Sequence, residues 1–252
     1  MTVRYEADGP VVVVTIDRPG SRNAVDGETA AALAAAFRRF EEDAGLAVAV
    51  MTGAAGHFCA GFDLKALAVD SPERLSETGD GPMGPTRMTL SKPVIAALEG
   101  YAVAGGLEIA LWCDLRVAAS DATLGVLNRR FGVPLIDMGT IRLPRMIGQG
   151  RALDLVLTGR PVTASEALAI GLVDRVVQPG QALKAAVALA RRIAEFPQGA
   201  LRADRLSVLN QWSLSLDDAA KAEARGGMEV LASGEAQEGA RRFAEGSGRH
   251  GV

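Results

Sequence analysis

One glutamate stands inside the most apolar helix-like segment of the sequence. Glu108 lies in residues 106–113, a run whose other side chains are apolar on nearly every helical face. An unpaired carboxylate in such surroundings costs several kcal/mol to bury unless its pKa rises. Carboxylates with raised pKa values serve as general acids and bases near neutral pH. Glu108 is therefore a candidate catalytic residue, and the alternative is a glutamate on a partly exposed helical turn.

Two glycine-containing segments each follow a predicted buried strand. They are residues 56–64 and 100–108, which follow the apolar runs 46–52 and 93–98. Small residues let a backbone approach a ligand closely, and a turn that enters a helix leaves N–H groups without partners. One N–H group from each segment could hold a carbonyl oxygen as an oxyanion hole. Two tight turns that pack against each other would give the same glycine pattern, so both interpretations stay open.

The predicted elements around these segments alternate between strand and helix, which favours an α/β fold. The last part of the chain is mostly helical, and it opens with the capping box Thr163-Ala-Ser-Glu166. Strands are predicted at residues 3–6, 11–17, 46–52, 93–98 and 115–118. Helices are predicted at residues 27–43, 106–112, 182–195, 201–209, 216–231 and 235–245.

Composition and charge exclude several classes of function. The formal net charge of the 252 residues is −3 without a basic block, so we expect no nucleic-acid partner. The longest apolar run, residues 30–37, is far shorter than the roughly 20 residues of a membrane span. Two cysteines and two histidines, all scattered, predict neither a disulfide framework nor a metal site. Since residues 1–6 do not resemble a signal peptide, we expect a cytoplasmic protein without a membrane partner.

Several motifs, in order and with matching spacing, resemble the crotonase (enoyl-CoA hydratase/isomerase) superfamily. They include Phe58-Cys-Ala-Gly-Phe-Asp-Leu64, Gly100-Tyr-Ala-Val-Ala-Gly-Gly-Leu-Glu108 and Gly139-Thr-Ile-Arg-Leu-Pro144. The resemblance covers most of the chain. It implies an α/β spiral of β-β-α turns over residues 1–195, followed by a helical region over residues 196–252. That region would close the CoA site and form a homo-oligomer, either a trimer or a dimer of trimers.

The resemblance also implies a ligand and a set of site residues. The ligand is an acyl-CoA thioester, so coenzyme A is part of the substrate and no separate cofactor is expected. The backbone N–H groups of Phe62 and Gly105 correspond to the family's oxyanion hole, which holds the thioester oxygen as an enolate forms. Glu108 matches the first of two catalytic glutamates in family hydratases. The positions that correspond to the region that binds substrate and CoA are Arg22, Ala24, Ala60, Asp63, Leu64 and Lys65.

The sequence departs from the family hydratases at the second glutamate, where alignment places Asn128. Asparagine cannot exchange a proton at neutral pH, although it can hydrogen-bond a water or a substrate. Asp137 offers a second carboxylate, since it matches an aspartate that faces the acyl group in similar isomerases. Alternatively, Asp137 is only the N-cap of a helix predicted over residues 138–147. Arg129 and Arg130 could pair with Asp137, contact a substrate carboxylate or form surface pairs.

The leading functional prediction is an enoyl-CoA hydratase that adds water to a trans-2-enoyl-CoA with Glu108. One alternative is an enoyl-CoA double-bond isomerase, or an acyl-CoA decarboxylase or dehydratase, that uses Asp137. A more remote alternative is a non-catalytic crotonase-fold binding protein, against which the buried Glu108 counts. The loop over residues 70–86, rich in Ser, Pro, Gly and charge, is predicted to line part of the acyl pocket.

Overall fold

The computed structural model describes residues 1–69 and 76–246 of the chain. The chain divides into two compact units, Met1–Ile193 and Ala194–Val252. The first unit contains every strand of the described residues, and the described part of the second unit is helical. No helix of the described residues is long and apolar enough to cross a membrane.

The strands of the first unit form two sheets. In chain order they are β1 (Val3–Asp8), β2 (Val11–Ile16), β3 (Val48–Gly53), β4 (Val94–Leu98), β5 (Tyr101–Val103), β6 (Leu115–Ala119), β7 (Thr123–Gly125), β8 (Val162–Thr163) and β9 (Arg175–Val177). The larger sheet has the order β1-β2-β3-β4-β6-β9, with β1 antiparallel to β2 and all other neighbours parallel. The smaller sheet has the order β5-β7-β8.

The central strands of the larger sheet are apolar along their whole length, which suits a sheet that is covered on both faces. Every residue of β4 is buried, and in β3 only the terminal Gly53 is not. Helix α1 (Gly27–Glu42) contacts β1 and β2 and buries Leu33, Phe37 and Phe40. It begins where the Asp26 side chain accepts a hydrogen bond from the Thr29 N–H, which satisfies one donor of the first turn.

The remaining helices of the first unit position the loops around the smaller sheet. They are α2 (Leu64–Val69), α3 (Gly105–Trp112), α4 (Gly139–Ile147), α5 (Gln149–Thr158), α6 (Ala164–Ala169) and α7 (Ala182–Ala194). Short 3-10 turns occur at Pro19–Ser21, Pro85–Arg87 and Leu127–Phe131. The predicted capping box of α6 is half confirmed, because Thr163 accepts from the Glu166 N–H while the Glu166 carboxylate pairs with Arg160.

The second unit contains α8 (Gln198–Asn210), a 3-10 turn (Gln211–Ser213), α9 (Leu216–Ala232) and α10 (Glu235–Ala244). Helices α8 and α9 contact each other, and the Glu235 carboxylate accepts hydrogen bonds from the Gly199 and Ala200 N–H groups at the start of α8. Several large apolar side chains of this unit are exposed, namely Val208, Trp212, Leu216, Met228, Leu231 and Phe243.

One of the two alternatives for Asp137, the N-cap of a helix, is wrong. Helix α4 begins at Gly139, its N-cap residue is Met138 in the left-handed conformation (φ 68°), and no side chain caps it. Asp137 therefore does not cap α4, because its side chain accepts hydrogen bonds from Met83 and Thr86 instead.

The short strands β5, β7, β8 and β9 were not predicted, since two or three residues are too few to show a period.

Candidate active site

A cavity of about 460 Å³ lies in the first unit, where several loops and the start of α3 meet. Its walls come from the segments around residues 60–64, 82–83, 103–108 and 127–137. Of the site residues predicted from the sequence, those that line it are Ala60, Phe62, Leu64, Gly105, Glu108, Asn128 and Asp137. Those that do not line it are Arg22, Ala24, Asp63 and Lys65.

The two glycine-containing segments lie side by side at one wall of the cavity. The Cys59 N–H donates to the Tyr101 carbonyl at 2.8 Å, and the Val103 N–H donates to the Cys59 carbonyl at 3.1 Å. A Cβ atom on Gly106 would stand 2.2 Å from the Cys59 carbonyl oxygen, so only glycine permits this approach. The two turns therefore pack tightly against each other, as one of the two interpretations expects. Phe62 and Gly105 line the same cavity.

Two backbone N–H groups at this wall lack acceptors. Within residues 1–69 and 76–246, neither the Phe62 N–H nor the Gly105 N–H donates a hydrogen bond to the protein. Gly105 is the first residue of α3, where the helix itself supplies no acceptor. The preceding Ala104 has φ 54° and ψ −127°, a strained conformation for a residue with a side chain. Unpaired donors next to a strained turn are typical of a site that binds an oxygen atom.

Glu108 lies one turn into α3, with only 3% of its surface exposed. Its Oε1 accepts hydrogen bonds from the Asp137 and Gly139 N–H groups, each at 2.9 Å. A Cβ atom on Gly139 would stand 2.8 Å from Oε1, which is why a glycine starts α4. Burial, followed by the nearby Asp137 charge, raises the Glu108 pKa to about 7. This carboxyl group therefore populates both protonation states near neutral pH.

Asp137 supplies a second buried carboxyl group in the cavity. It is 2% exposed, and its Oδ1 accepts hydrogen bonds from the Met83 N–H at 2.9 Å and from the Thr86 hydroxyl. Burial raises its pKa above the usual range despite these hydrogen bonds. Arg142 links the turn at Thr86 to the loop that carries Asp137, since it donates to the Thr86 carbonyl at 2.8 Å and to the Asp137 carbonyl at 3.3 Å.

Each of the two carboxyl groups has one oxygen held by two donors and one oxygen without a donor. In the described part of the chain, Glu108 Oε2 and Asp137 Oδ2 accept no hydrogen bond, and both residues line the cavity. The clamped oxygens fix the orientation of each group. The second oxygens are left for a substrate or a water molecule.

Asn128 lines the same cavity and has a buried acceptor without a partner among the described residues. Its Nδ2 donates to the Val133 carbonyl at 2.7 Å, which fixes the orientation of the amide. Its Oδ1 is buried and receives no hydrogen bond from the described residues. A buried acceptor without a donor is costly unless a water or a ligand supplies one.

The predicted CoA-region residues outside the cavity have structural partners. Asp63 pairs with Arg18 at 3.0 Å, and its Oδ1 accepts from the Lys65 and Ala66 N–H groups at the start of α2. The Ala24 carbonyl accepts a hydrogen bond from Arg18. The Arg22 guanidinium lies 5.3 Å from the centre of the Tyr101 ring.

Of the alternatives for Arg129 and Arg130, the pairing with Asp137 is wrong. Arg129 donates to the Val156 carbonyl at 3.3 Å, Arg130 donates to the Gly159 carbonyl at 3.2 Å, and neither lines the cavity.

In the loop predicted to line the acyl pocket, Pro82 and Met83 do line the cavity, whereas residues 70–75 fall outside the described part of the chain.

The sequence did not indicate Thr86 and Arg142 as partners of Asp137. The turn signals Gly81 and Gly84 mark a bend before Thr86, yet nothing local indicates what it contacts.

The model of the enoyl-CoA hydratase/isomerase family matches residues 6–249 of the chain. The chain belongs to this family. Family members similar to it include enoyl-CoA hydratase EchA19 of Mycobacterium tuberculosis, which is 38% identical over 95% of the chain and 92% of that protein. A carnitinyl-CoA dehydratase of Salmonella arizonae is 36% identical over 97% of the chain and 95% of that protein.

Solved structures of family members confirm the predicted fold. The crystal structure of an enoyl-CoA hydratase from Mycobacterium tuberculosis superimposes with a TM-score of 0.92 at 38% identity, covering 97% of this chain and 96% of that chain. The crotonase-family resemblance inferred from the motifs is thus confirmed, and so is the α/β fold class.

Proposed function

We propose that the chain catalyses the reversible addition of water to the C2=C3 double bond of a trans-2-enoyl-CoA. The observation that supports this most is the meeting of Glu108 and two unpaired N–H groups, those of Phe62 and Gly105, at one largely apolar cavity. The names of two similar proteins, an enoyl-CoA hydratase and a carnitinyl-CoA dehydratase, describe the same type of reaction in opposite directions.

The Phe62 and Gly105 N–H groups act as the oxyanion hole in this proposal. They donate to the thioester oxygen, which becomes more negative as the enolate forms. Because both donors are already in place, the protein does not reorganise as the charge develops. Removing one such donor typically costs about 100- to 1,000-fold in kcat, so these two groups supply a large part of the rate.

Glu108 moves the proton. Ionised Glu108 accepts a proton from a water molecule as the water oxygen bonds to C3, and the electron pair of the double bond moves onto the thioester to form the enolate. Protonated Glu108 then returns that proton to C2, and the carbonyl re-forms. One carboxyl group with a pKa of about 7 is suited to both half-steps at neutral pH.

Asn128 and Asp137 have supporting roles. Asn128 lines the cavity, and its amide can hydrogen-bond and orient the attacking water without exchanging a proton. The free Oδ2 of Asp137 favours a second candidate function, the isomerisation of an enoyl-CoA double bond, in which one carboxyl group removes a proton and another returns one. The decarboxylase alternative has no arginine at the cavity walls of the described residues to support it.

We also propose that the protein is a homo-oligomer, a trimer or a dimer of trimers. The exposed apolar side chains of the helical unit, such as Trp212, Leu216 and Met228, are more than a solvated surface needs. Light scattering of the purified protein tests the oligomeric state.

Arg22 and Lys65 are exposed cations next to the segment 60–64, and we assign them to the phosphates of CoA.

The decisive test of the reaction is the absorbance of a short trans-2-enoyl-CoA, whose conjugated thioester bleaches on hydration. We expect fast bleaching by the wild-type protein and a loss of that activity in Glu108→Gln. If the enoyl-CoA binds by calorimetry but is not hydrated by the wild type, the hydratase proposal is wrong. A shift of the double bond under the same conditions, read by mass spectrometry and NMR, would support the isomerase instead.

A further inference from the structure

The Met83 side chain lies directly against Gly105, whose N–H is one of the two unpaired donors at the cavity. A Cβ atom on Gly105 would stand 2.8 Å from Met83 Sδ, 2.9 Å from Cε and 3.1 Å from Cγ. The thioether side chain therefore covers the Cα atom of Gly105. Met83 is 1% exposed and lines the cavity, so its side chain occupies space beside the start of α3.

The turn that carries Met83 is held from both sides. The Met83 N–H donates to Asp137 Oδ1 at 2.9 Å, and the Gly84 N–H donates to the Gly81 carbonyl at 3.0 Å. The turn also packs closely on α1, because a Cβ atom on Gly84 would stand 2.8 Å from the Ala30 carbonyl oxygen. A buried side chain on a turn that is fixed in this way has little room to move aside for a ligand.

The first two carbons of an acyl thioester are the atoms that come nearest to Met83. A hydrogen bond of about 2.9 Å from the Gly105 N–H to the thioester oxygen keeps C1 within about 4 Å of that nitrogen. C2 is bonded to C1, and it has to lie within reach of Glu108, which is one turn further along α3. A substituent on C2 therefore competes with the Met83 side chain for the space beside Gly105.

We propose that Met83 is a specificity-determining residue, whose side chain makes the site discriminate against an acyl group with a methyl branch at C2. This inference rests on the proposed function, because it places the thioester oxygen at Phe62 and Gly105. Protein interiors are close-packed, so an added methyl group has to displace the wall that it meets. A difference of this size in a tight pocket typically changes kcat/KM by about 10- to 200-fold.

Two enoyl thioesters that differ only in the C2 methyl group test the proposal. They are crotonyl-CoA and tiglyl-CoA, which is (E)-2-methylbut-2-enoyl-CoA. The methyl group also changes the intrinsic reactivity, so the quantity to compare is the ratio of kcat/KM for tiglyl-CoA to that for crotonyl-CoA in each variant. We expect Met83→Ala to raise this ratio by at least about 10-fold over the wild type. An unchanged or lower ratio would overturn the inference while leaving the hydratase function in place.

A second wall residue supplies the matched control. Leu127 lines the same cavity, and Leu127→Ala removes a side chain of similar volume. We expect it to leave the ratio at the wild-type value, and a rise as large as that in Met83→Ala would refute the role of Met83. Truncating a buried methionine destabilises a fold, so Met83→Val is the milder second variant. It should raise the ratio as well, because valine is shorter than methionine.

Binding separates this inference from the reaction. If no enoyl-CoA is hydrated by the wild type, the same comparison is made with the saturated 2-methylbutanoyl-CoA and butanoyl-CoA, whose Kd values calorimetry gives without any chemistry. A gain of at least about 10-fold in the relative affinity of Met83→Ala for the branched compound would then support the role of Met83, although the hydratase proposal has failed. An unchanged relative affinity would mean that both proposals are wrong.

Discussion

The Asp137 N–H donates to Glu108 Oε1 at 2.9 Å, so one residue both orients the buried glutamate and places a second carboxyl group beside it. The hydrogen bonds from Asp137 and Gly139 stabilise the ionised form of Glu108 and lower its pKa. Burial and the Asp137 charge act in the opposite direction and prevail, which leaves the pKa at about 7. The segment 137–139 therefore sets both the position and the protonation of the candidate catalytic group.

Glu108→Gln should remove proton transfer while leaving the site assembled. The glutamine Oε1 still accepts from the Asp137 and Gly139 N–H groups, so we expect the fold and the affinity for a saturated acyl-CoA to persist. The kcat for hydration should fall by at least about 100-fold, the scale of a general acid/base contribution. Absorbance assays and calorimetry on the same preparation measure both quantities. A wild-type rate in this variant would remove Glu108 from the mechanism.

The proposed mechanism predicts how hydration depends on pH. Ionised Glu108 begins the reaction in either direction, so kcat/KM should rise with pH through about 7 and then level off. Asp137→Asn removes the neighbouring charge that raises the Glu108 pKa, and this rise should then move to lower pH. Stopped-flow rates between pH 5 and 9 test this. A kcat/KM that falls as pH increases through 7 would mean that protonated Glu108 begins the reaction.

The same carboxyl group should make the protein less stable as pH rises. The Glu108 pKa is raised from 4.5 to about 7 on folding, so its contribution to the free energy of unfolding is fully present below about pH 4.5. That contribution is lost as pH rises through about 7. Relative to Glu108→Gln, the wild type should lose on the order of 3 kcal/mol between pH 5 and 8. Urea unfolding of both proteins at the two pH values measures the difference, and a constant difference would contradict the raised pKa.

Asp137→Asn separates hydration from isomerisation. Asparagine keeps an oxygen that accepts from the Met83 N–H and the Thr86 hydroxyl, so the loop geometry should persist. If Glu108 alone moves the proton of hydration, that activity stays within about 10-fold, whereas any isomerisation by Asp137 falls by at least about 100-fold. Thr86→Val is the control, because it removes one hydrogen bond from Asp137 but leaves the carboxyl group. A loss of hydration as large as that in Glu108→Gln would make Asp137 an equal partner.

Much of the fold and the centre of the site could be predicted from the sequence, because the signals are local. The apolar runs that became β3 and β4 are buried on both faces, and Glu108 stood out as the one charge in an apolar helix. The glycine segments also indicated close backbone approach, which Gly106 confirms.

The two donors to the Asp137 carboxyl group, Met83 and Thr86, could not be predicted, because they are more than fifty positions away in the sequence. Met83 and Thr86 lie in a 3-10 turn region that tertiary contacts, not periodicity, bring to the carboxyl group. The helix-cap prediction failed for the same reason, since the Asp137 side chain bonds to that turn instead of to α4. Long-range hydrogen bonds of this kind override a local capping preference.

Arg142 does not line the cavity, yet its charge should lower the pKa of the carboxyl groups that do. Its charge lowers the pKa of both Glu108 and Asp137, and it donates to the Thr86 and Asp137 carbonyls. In Arg142→Met we expect the rise of kcat/KM to move to higher pH, because the favourable charge is lost. Arg142→Lys keeps the charge and should hold the rise near the wild-type pH even if the rate falls. If both variants lose activity equally at every pH, Arg142 is only a structural tie between the two loops.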